Sequence, residues 1–583
     1  MLQRLTLIAI MAFATAFVVD KIRNVSNYTD PAGTGYNIEY KKKNAIRCGP
    51  DWESLKDWLD ETDIPLIPGA GNYKWNVSTK NDSAQLYFNQ GINMYYSFHI
   101  IEAMASFKKA TKFDPACAML YWAQALAYGP NINDFGYAAS PAALQATQMA
   151  AQLSAKASVM EKALINALAV RYTADSADVT RAKLNKAYTA MMKGLYEKFP
   201  GNADAQALYA DAMMLEHPWD LWHINGTAKP WTALIQKVLE KLLAKTPDHP
   251  GANHYYIHVM EPSPYADKAL PSADRLGKLT PGLSHTVHMP SHIYLRTGQY
   301  QKGVTVNENA VNSYKKIIPL YSPVTGNDFL YIIHNLHMQA NNAMMAGLSE
   351  YSIKTAMETV KSINNDYLSF PPPLGSYVQY LYMTPTLVNV RFGKWDELLA
   401  AKQPDQKLVY ANILYHFAKG IAFSYKQNFD LAAKELDIMR DFMKDSTLNI
   451  PFTPFSAAIE GARVAEQMLL GIIHEQRKLY SGAIRHFKQA DSIEVNMVYN
   501  EPRDWLLNPK HWLGNAYLKA GQPIDAEKVF RKDLLNNNEN GWALFGIYQA
   551  LQAQKKKAEA EKMLARFKKA FIKADVKLYA PVF

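Results

Sequence analysis

The chain has 583 residues, with 63 Lys+Arg against 53 Asp+Glu for a formal charge of +10, and is 49% hydrophobic and 12% aromatic. That is ample for a core, and the length suits either several domains or one continuous repeat array. The charges are interspersed along helical segments, the densest basic runs being Lys41 to Lys43 and the Lys555 to Lys573 tail. No basic stripe interleaved with aromatics occurs, which argues against a nucleic-acid partner.

Arg4 precedes an apolar run from Leu5 to Val19, and Ala14-Thr15-Ala16 follows the small-x-small pattern of a cleavage site. The run is too short to span a bilayer but suits a signal peptide, so residues 1–16 are read as removed. The mature chain is then extracytoplasmic, periplasmic or secreted, with no transmembrane span. In an oxidising compartment Cys48 and Cys117 are a candidate disulfide pair, the alternative being that Cys117 is a small buried residue. Neither is close in sequence to the histidines, which argues against a thiolate metal site. Residues 17–82 form an arm broken by Pro31, Gly33, Gly35, Pro65, Pro68 and Gly69, with one short helix expected around Trp52 to Leu59.

Helical periodicity starts at Ser83. Gly91, Ala103, Phe107, Ala110 and Pro115 follow a spacing in which small residues let two helices cross closely and a proline stops the second. Gly471, Tyr480, Ala483, Phe487 and Ala490 repeat it, as do Gly514, Tyr517, Gly521, Ala526 and Phe530. This pattern resembles the tetratricopeptide (TPR) repeat over most of Ser83 to Phe571. The resemblance implies an all-α, TPR-like α-solenoid in which helix-turn-helix repeats wind into a right-handed superhelix. The expected divisions are 83–250 for N-terminal helical repeats, 251–360 for a histidine-rich group, 361–410 for a linker with helices, and 411–583 for C-terminal repeats. Pro218 to Trp222, Gly251 to Glu261, His288 to Tyr294 and Asn540 to Gly546 together are similar to a group of exported bacterial TPR proteins.

The chemistry concentrates in the third division. His254 and His288 are 34 residues apart, as are His258 and His292, matching the TPR period; His334 and His337 repeat the spacing of His285 and His288. Eight of the chain's 15 histidines fall within the 89 residues from His249 to His337. Residues at i and i+4 or i+3 share a helix face, so each pair presents two imidazoles side by side. In a TPR array the first helices of successive repeats stack along the concave groove. These histidines should therefore converge there, over about Gly251 to Gly347.

All-imidazole donors favour a transition metal, copper or zinc first and iron next, over magnesium or calcium. The metal ligands expected are His254, His258, His288 and His292, with His285, His334 and His337 completing the shell, for one or two ions. Glu261, Tyr255 and Tyr294 are candidates to support the ligands or face a substrate. Tyr255 stands where the His-Glu-x-x-His protease motif needs glutamate. The paired His-x-x-x-His helices resemble in outline the dinuclear copper sites of oxygen-binding helical proteins. Pro290 has to kink a helix or begin one. Metal binding, with oxidative or hydrolytic chemistry, is thus one functional expectation. Its rival is a non-enzymatic TPR scaffold whose groove takes a small molecule, a peptide or a protein partner, the histidines then hydrogen-bonding one another between helices.

Overall fold

A computed structural model describes residues 50–583 apart from 51, 135–136, 138, 176–177, 322–328, 453–454 and 501–504. Residues 1–16, expected to be a signal peptide, most of the arm and Cys48 lie outside the described residues, whereas Cys117 is buried.

The small residues that mark the repeats are in contact with the large ones. A Cβ added at Gly91 would come within 2.4 Å of the Phe107 ring, one at Gly471 within 2.5 Å of Phe487, and one at Gly514 within 2.3 Å of Phe530. These contacts join the helices Asp82–Tyr96 with Ile100–Phe113, Ala458–Gln476 with Tyr480–Asn496, and Pro509–Lys519 with Pro523–Leu534. Only a glycine lets the paired axes approach closely enough for the ring to fill the gap. The expected short helix spans Trp52–Glu61, and six helices from Ala118–Ala127 to Pro230–Lys245 fill the stretch without a repeat signature. Among the described residues there is no strand, only isolated bridges at Trp222–Ala228 and Pro451–Ala457. The fold is an all-α, TPR-like α-solenoid.

Among the described residues two large apolar cores run along it, with a small third cluster at Tyr300, Met345 and Ala346. One extends from Trp52 to Tyr321 and takes in Phe455; the other runs from Ile333 to Val582. Contacts distant in sequence, the first of them within the first core, close the coil at the seam where the two cores meet. Trp219 packs near Phe455 with ring centroids 5.9 Å apart, Arg296 donates to the Asn536 carbonyl at 2.8 Å, and the Tyr499 hydroxyl donates to Glu261 at 2.9 Å. At the C-terminal end the Asp575 carboxylate accepts from the backbone of Ser349 and Glu350 at 2.6 and 2.9 Å, closing the start of the helix Ser349–Ser362 with a favourable charge.

Seven helices, numbered in chain order, build the seam: α1 (Asp82–Tyr96), α2 (Ile100–Phe113), α3 (Pro250–Met260), α4 (Ser284–His288), α5 (Pro290–Arg296), α6 (Tyr300–Ile317) and α7 (His334–Met345). Pro290 opens α5, so His285 and His288 sit on the short α4 that precedes it. This is where proline is tolerated, since the first-turn N–H has no intrahelical partner.

Phe530 fills the space left by both Gly514 and Gly546, whose Cβ atoms would lie 2.3 and 2.5 Å from it. Phe530→Ala should therefore cost about 3–5 kcal/mol, read as a lower urea midpoint of the C-terminal repeats. An unchanged midpoint would show that this ring does not hold the pair together.

Candidate metal centre

α3 is buried along its whole length, and it carries His254 and His258 one turn apart on one face. His285 of α4 meets them to form a first triad. His288 of α4 and His292 of α5 are again four residues apart, and His334 at the start of α7 completes a second. Within each triad one ligand atom from every histidine lies within 4.8 Å of the others. The two are near copies. Ring centroids stand 4.8, 4.9 and 6.1 Å apart in the first and 4.6, 4.8 and 6.0 Å in the second. Each triad thus joins the His-x-x-x-His pair of one repeat to the leading histidine of the next.

The orientation of the rings is set from behind. His254 Nδ1 lies 2.7 Å from the Tyr96 carbonyl, a group that can only accept. His288 Nδ1 lies 2.6 Å from Asn307 Oδ1, and the Asn307 amide nitrogen is committed to the Gly303 carbonyl at 2.8 Å. The Glu261 carboxylate spans the two triads, one oxygen 2.9 Å from His258 Nδ1 and the other 2.9 Å from His292 Nδ1. All four contacts place the proton on Nδ1 and leave Nε2 as a lone-pair donor. The Nε2 atoms converge: His254 to His285 at 3.1 Å, His288 to His292 at 2.7 Å, and His288 to His334 at 3.1 Å. His285 Nδ1 is buried with no hydrogen-bond partner among the described residues.

Burial pushes His254, His285, His288 and His334 well below the ordinary imidazole value, with the neighbouring imidazoles adding to it. Burial also works to raise Glu261, but the N–H groups and charge of His292 and His258 outweigh it and hold the carboxyl low. His254, His285, His288 and His334 are therefore neutral imidazoles beside one anion, Glu261.

Two aromatic residues in left-handed backbone press on the first triad. Phe98, at φ 56°, has its ring 4.4, 5.9 and 5.5 Å from those of His254, His258 and His285. It holds the turn between α1 and α2, where other repeats have Gly298, Gly347 and Gly521, or the polar Gln427, Lys478 and Lys555. A non-glycine residue there costs about 1–2 kcal/mol. Trp219, at φ 60°, stands edge-on to His258 at 5.4 Å.

The remaining sequence candidates are in neither triad. His337 donates from Nδ1 to the Thr384 hydroxyl oxygen at 2.9 Å and joins neither triad. Tyr255 is wholly buried, its ring stacked on that of His254 at 5.7 Å and beside Tyr96 and Phe98, and the Tyr294 hydroxyl donates to Asp274 at 2.6 Å. The histidines do not line an open groove, because the coil closes over them: the six triad members are 7% exposed at most. Phe98, Trp219, Asn307 and Tyr499 carry no signal in the histidine pattern. Phe98 alone had a local one, an aromatic residue where sister turns have glycine, glutamine or lysine.

Burial holds His337 and His99 down at about 3. Unfolded, each takes a proton near pH 6.5 that the folded state refuses. Stability contributed above pH 6.5 is therefore lost as pH falls from there toward 3, by up to about 1.4 kcal/mol per pH unit and imidazole. In metal-free protein, His337→Gln should flatten the fall in urea midpoint between pH 7 and pH 5 by about one proton's worth. An unaltered slope would contradict this.

No family profile and no curated protein sequence matches the chain. Among solved structures, human IFIT1 in its dimer with m7Gppp-AAAA is 11% identical over 85% of this chain and 91% of that one, with a TM-score of 0.31. Yeast Tom70 is 12% identical over 83% and 96%, with a TM-score of 0.31. The APC/C hetero-tetramer Cut9-Hcn1 is 13% identical over 90% and 78%, with a TM-score of 0.26.

Proposed function

We propose that the seam is a dinuclear transition-metal centre, each ion held by three imidazoles: His254, His258 and His285 on one side, and His288, His292 and His334 on the other. The observation that carries this is the second triad. The Asn307 and Glu261 acceptors leave His288 and His292 with lone pairs facing each other at 2.7 Å. Facing lone pairs repel unless a cation lies between them, and burial opposes a proton as that cation. A metal ion at about 2.0–2.1 Å from each nitrogen would set tetrahedral ligands about 3.3 Å apart, close to the spacings present.

Neutral nitrogen donors without carboxylate ligands suit copper or zinc, and then iron. Three protein ligands per ion leave a coordination position open, through which a bound metal supplies an acidified water for hydrolysis or, as copper or iron, reactivity toward dioxygen. The chain's own groups do the rest. Glu261 orients one imidazole of each triad, the Tyr96 carbonyl and Asn307 fix two more, and Phe98 and Trp219 exclude water from the first.

The resemblance of four residue blocks to exported bacterial TPR proteins, together with the apolar run after Arg4, supports an extracytoplasmic location. The rival reading, a non-enzymatic interaction scaffold, is favoured by the repeat fold itself.

Elemental analysis of the purified protein should find two transition-metal ions per chain, and close to none in a His258→Ala/His292→Ala variant. His337→Ala should keep both. Glu261→Gln, whose amide oxygen accepts from only one of the two imidazoles, should lose one ion or bind it about 10–100-fold more weakly. No stoichiometric metal in the parent, or equal metal in every variant, would leave the scaffold reading. Sequencing the N-terminus of native protein should start near Phe17; a start at Met1 would remove the export proposal.

A further inference from the structure

The excess positive charge of the chain is not spread over it. Residues 50–554 carry 47 Lys+Arg against 47 Asp+Glu and are neutral, whereas residues 555–583 carry 9 against 3. The whole net charge of residues 50–583 therefore sits on the last helix, Lys557–Ala570, the turn before it and the segment after it. Part of that charge is used within the protein: Arg566 pairs with Glu539 at 2.5 Å, and Lys556 with Glu527 at 3.8 Å. Lys568, Lys569 and Lys573 are exposed and make no ion pair among the described residues.

The same edge holds aliphatic side chains in water. Ile572, just past the end of that helix, is 75% exposed, and Leu535, just past the end of the helix Pro523–Leu534, is 73% exposed. Among the described large apolar residues only Val179 and Tyr579 are more so. The Arg566–Glu539 pair brings the two helix ends together, since Glu539 lies in the turn after the first and Arg566 near the end of the second. Of the carboxylates here, Glu539 is taken by Arg566 and Asp575 by the backbone of Ser349 and Glu350, which leaves the exposed Glu350. Solvated lysines need no partner, and neither does a single exposed leucine. A basic cluster set around aliphatic side chains is the combination that lies on a membrane surface. An anionic bilayer supplies phosphates for the lysines and a headgroup layer for the aliphatic groups. A nucleic acid also supplies phosphates, but it stacks its bases on aromatic side chains, and neither Leu535 nor Ile572 is aromatic.

We propose that this edge of the last two repeats docks the protein on an anionic lipid surface, with Lys568, Lys569 and Lys573 against the lipid phosphates and Leu535 and Ile572 in the headgroup layer. The docking is independent of the histidine centre and of the metal reading above.

Co-sedimentation of the purified protein with vesicles tests this. Vesicles of phosphatidylglycerol and phosphatidylcholine in equal parts should hold the parent at low salt and release it as salt rises, and vesicles of phosphatidylcholine alone should bind it at least about 10-fold more weakly. Lys568→Gln/Lys569→Gln/Lys573→Gln should weaken binding to the anionic vesicles about 100-fold, at about 5-fold per lysine. Leu535→Ser/Ile572→Ser should weaken it about 10-fold. All five side chains are exposed, so both variants should keep the parent's urea midpoint, which separates lost docking from a lost fold. A single-stranded RNA oligonucleotide at equal phosphate concentration should not strip the parent from the vesicles. Equal binding to uncharged vesicles, a lysine variant that binds like the parent, or an aliphatic variant that does so would each overturn the assignment. Displacement by the RNA would overturn it too, and would give the edge to a nucleic acid.

Discussion

The Glu261 carboxylate is the interaction on which the core of this molecule depends. It is fully buried, and it accepts from an imidazole of each triad and from the Tyr499 hydroxyl. An ionised carboxyl in that position is tolerable only because three donors converge on it. The same contacts tie three distant parts of the chain together: α3, α5 and the segment after the helix Tyr480–Asn496. Without the carboxylate, two imidazoles lose the group that fixes their tautomer, and the coil loses a polar contact holding its far end over the site.

Repetition explains the near-identity of the two triads. A TPR-like array sets successive first helices side by side at a constant offset, so histidines at matching positions generate the same three-ring arrangement at each junction. α3 and α4 make the first copy, and α4, α5 and α7 the second. The series stops at α7 because four residues beyond His337 stands Asn341, so no third pair forms. What breaks the symmetry is the packing around it. Phe98 accepts a left-handed backbone to cover the first triad, and Asn307 of α6 backs the second.

Much of the architecture was legible in the residues. Gly91 with Phe107 and Gly514 with Phe530 are local signals, set by how closely two adjacent helices cross. The 34-residue recurrence of His254 and His288 likewise marked the site before any geometry was known. The grouping into two triads was not legible, because the spacing from His285 to His334 runs through an insertion whose path no periodicity describes. Nor was the closure of the groove. It depends on Trp219, Phe455 and Tyr499 meeting across more than 200 residues of chain, and irregular blocks carry no repeat register to predict such meetings.

X-ray absorption at the edge of whatever metal co-purifies tests the central claim most directly, since it counts and identifies the atoms bound. Two three-imidazole sites predict a first shell of about three nitrogens per metal near 2.0 Å, with the outer scattering of imidazole rings, at two metals per chain. A shell of oxygens, or sulfur in the first shell, or a single metal with ring scattering from fewer than three imidazoles would contradict it.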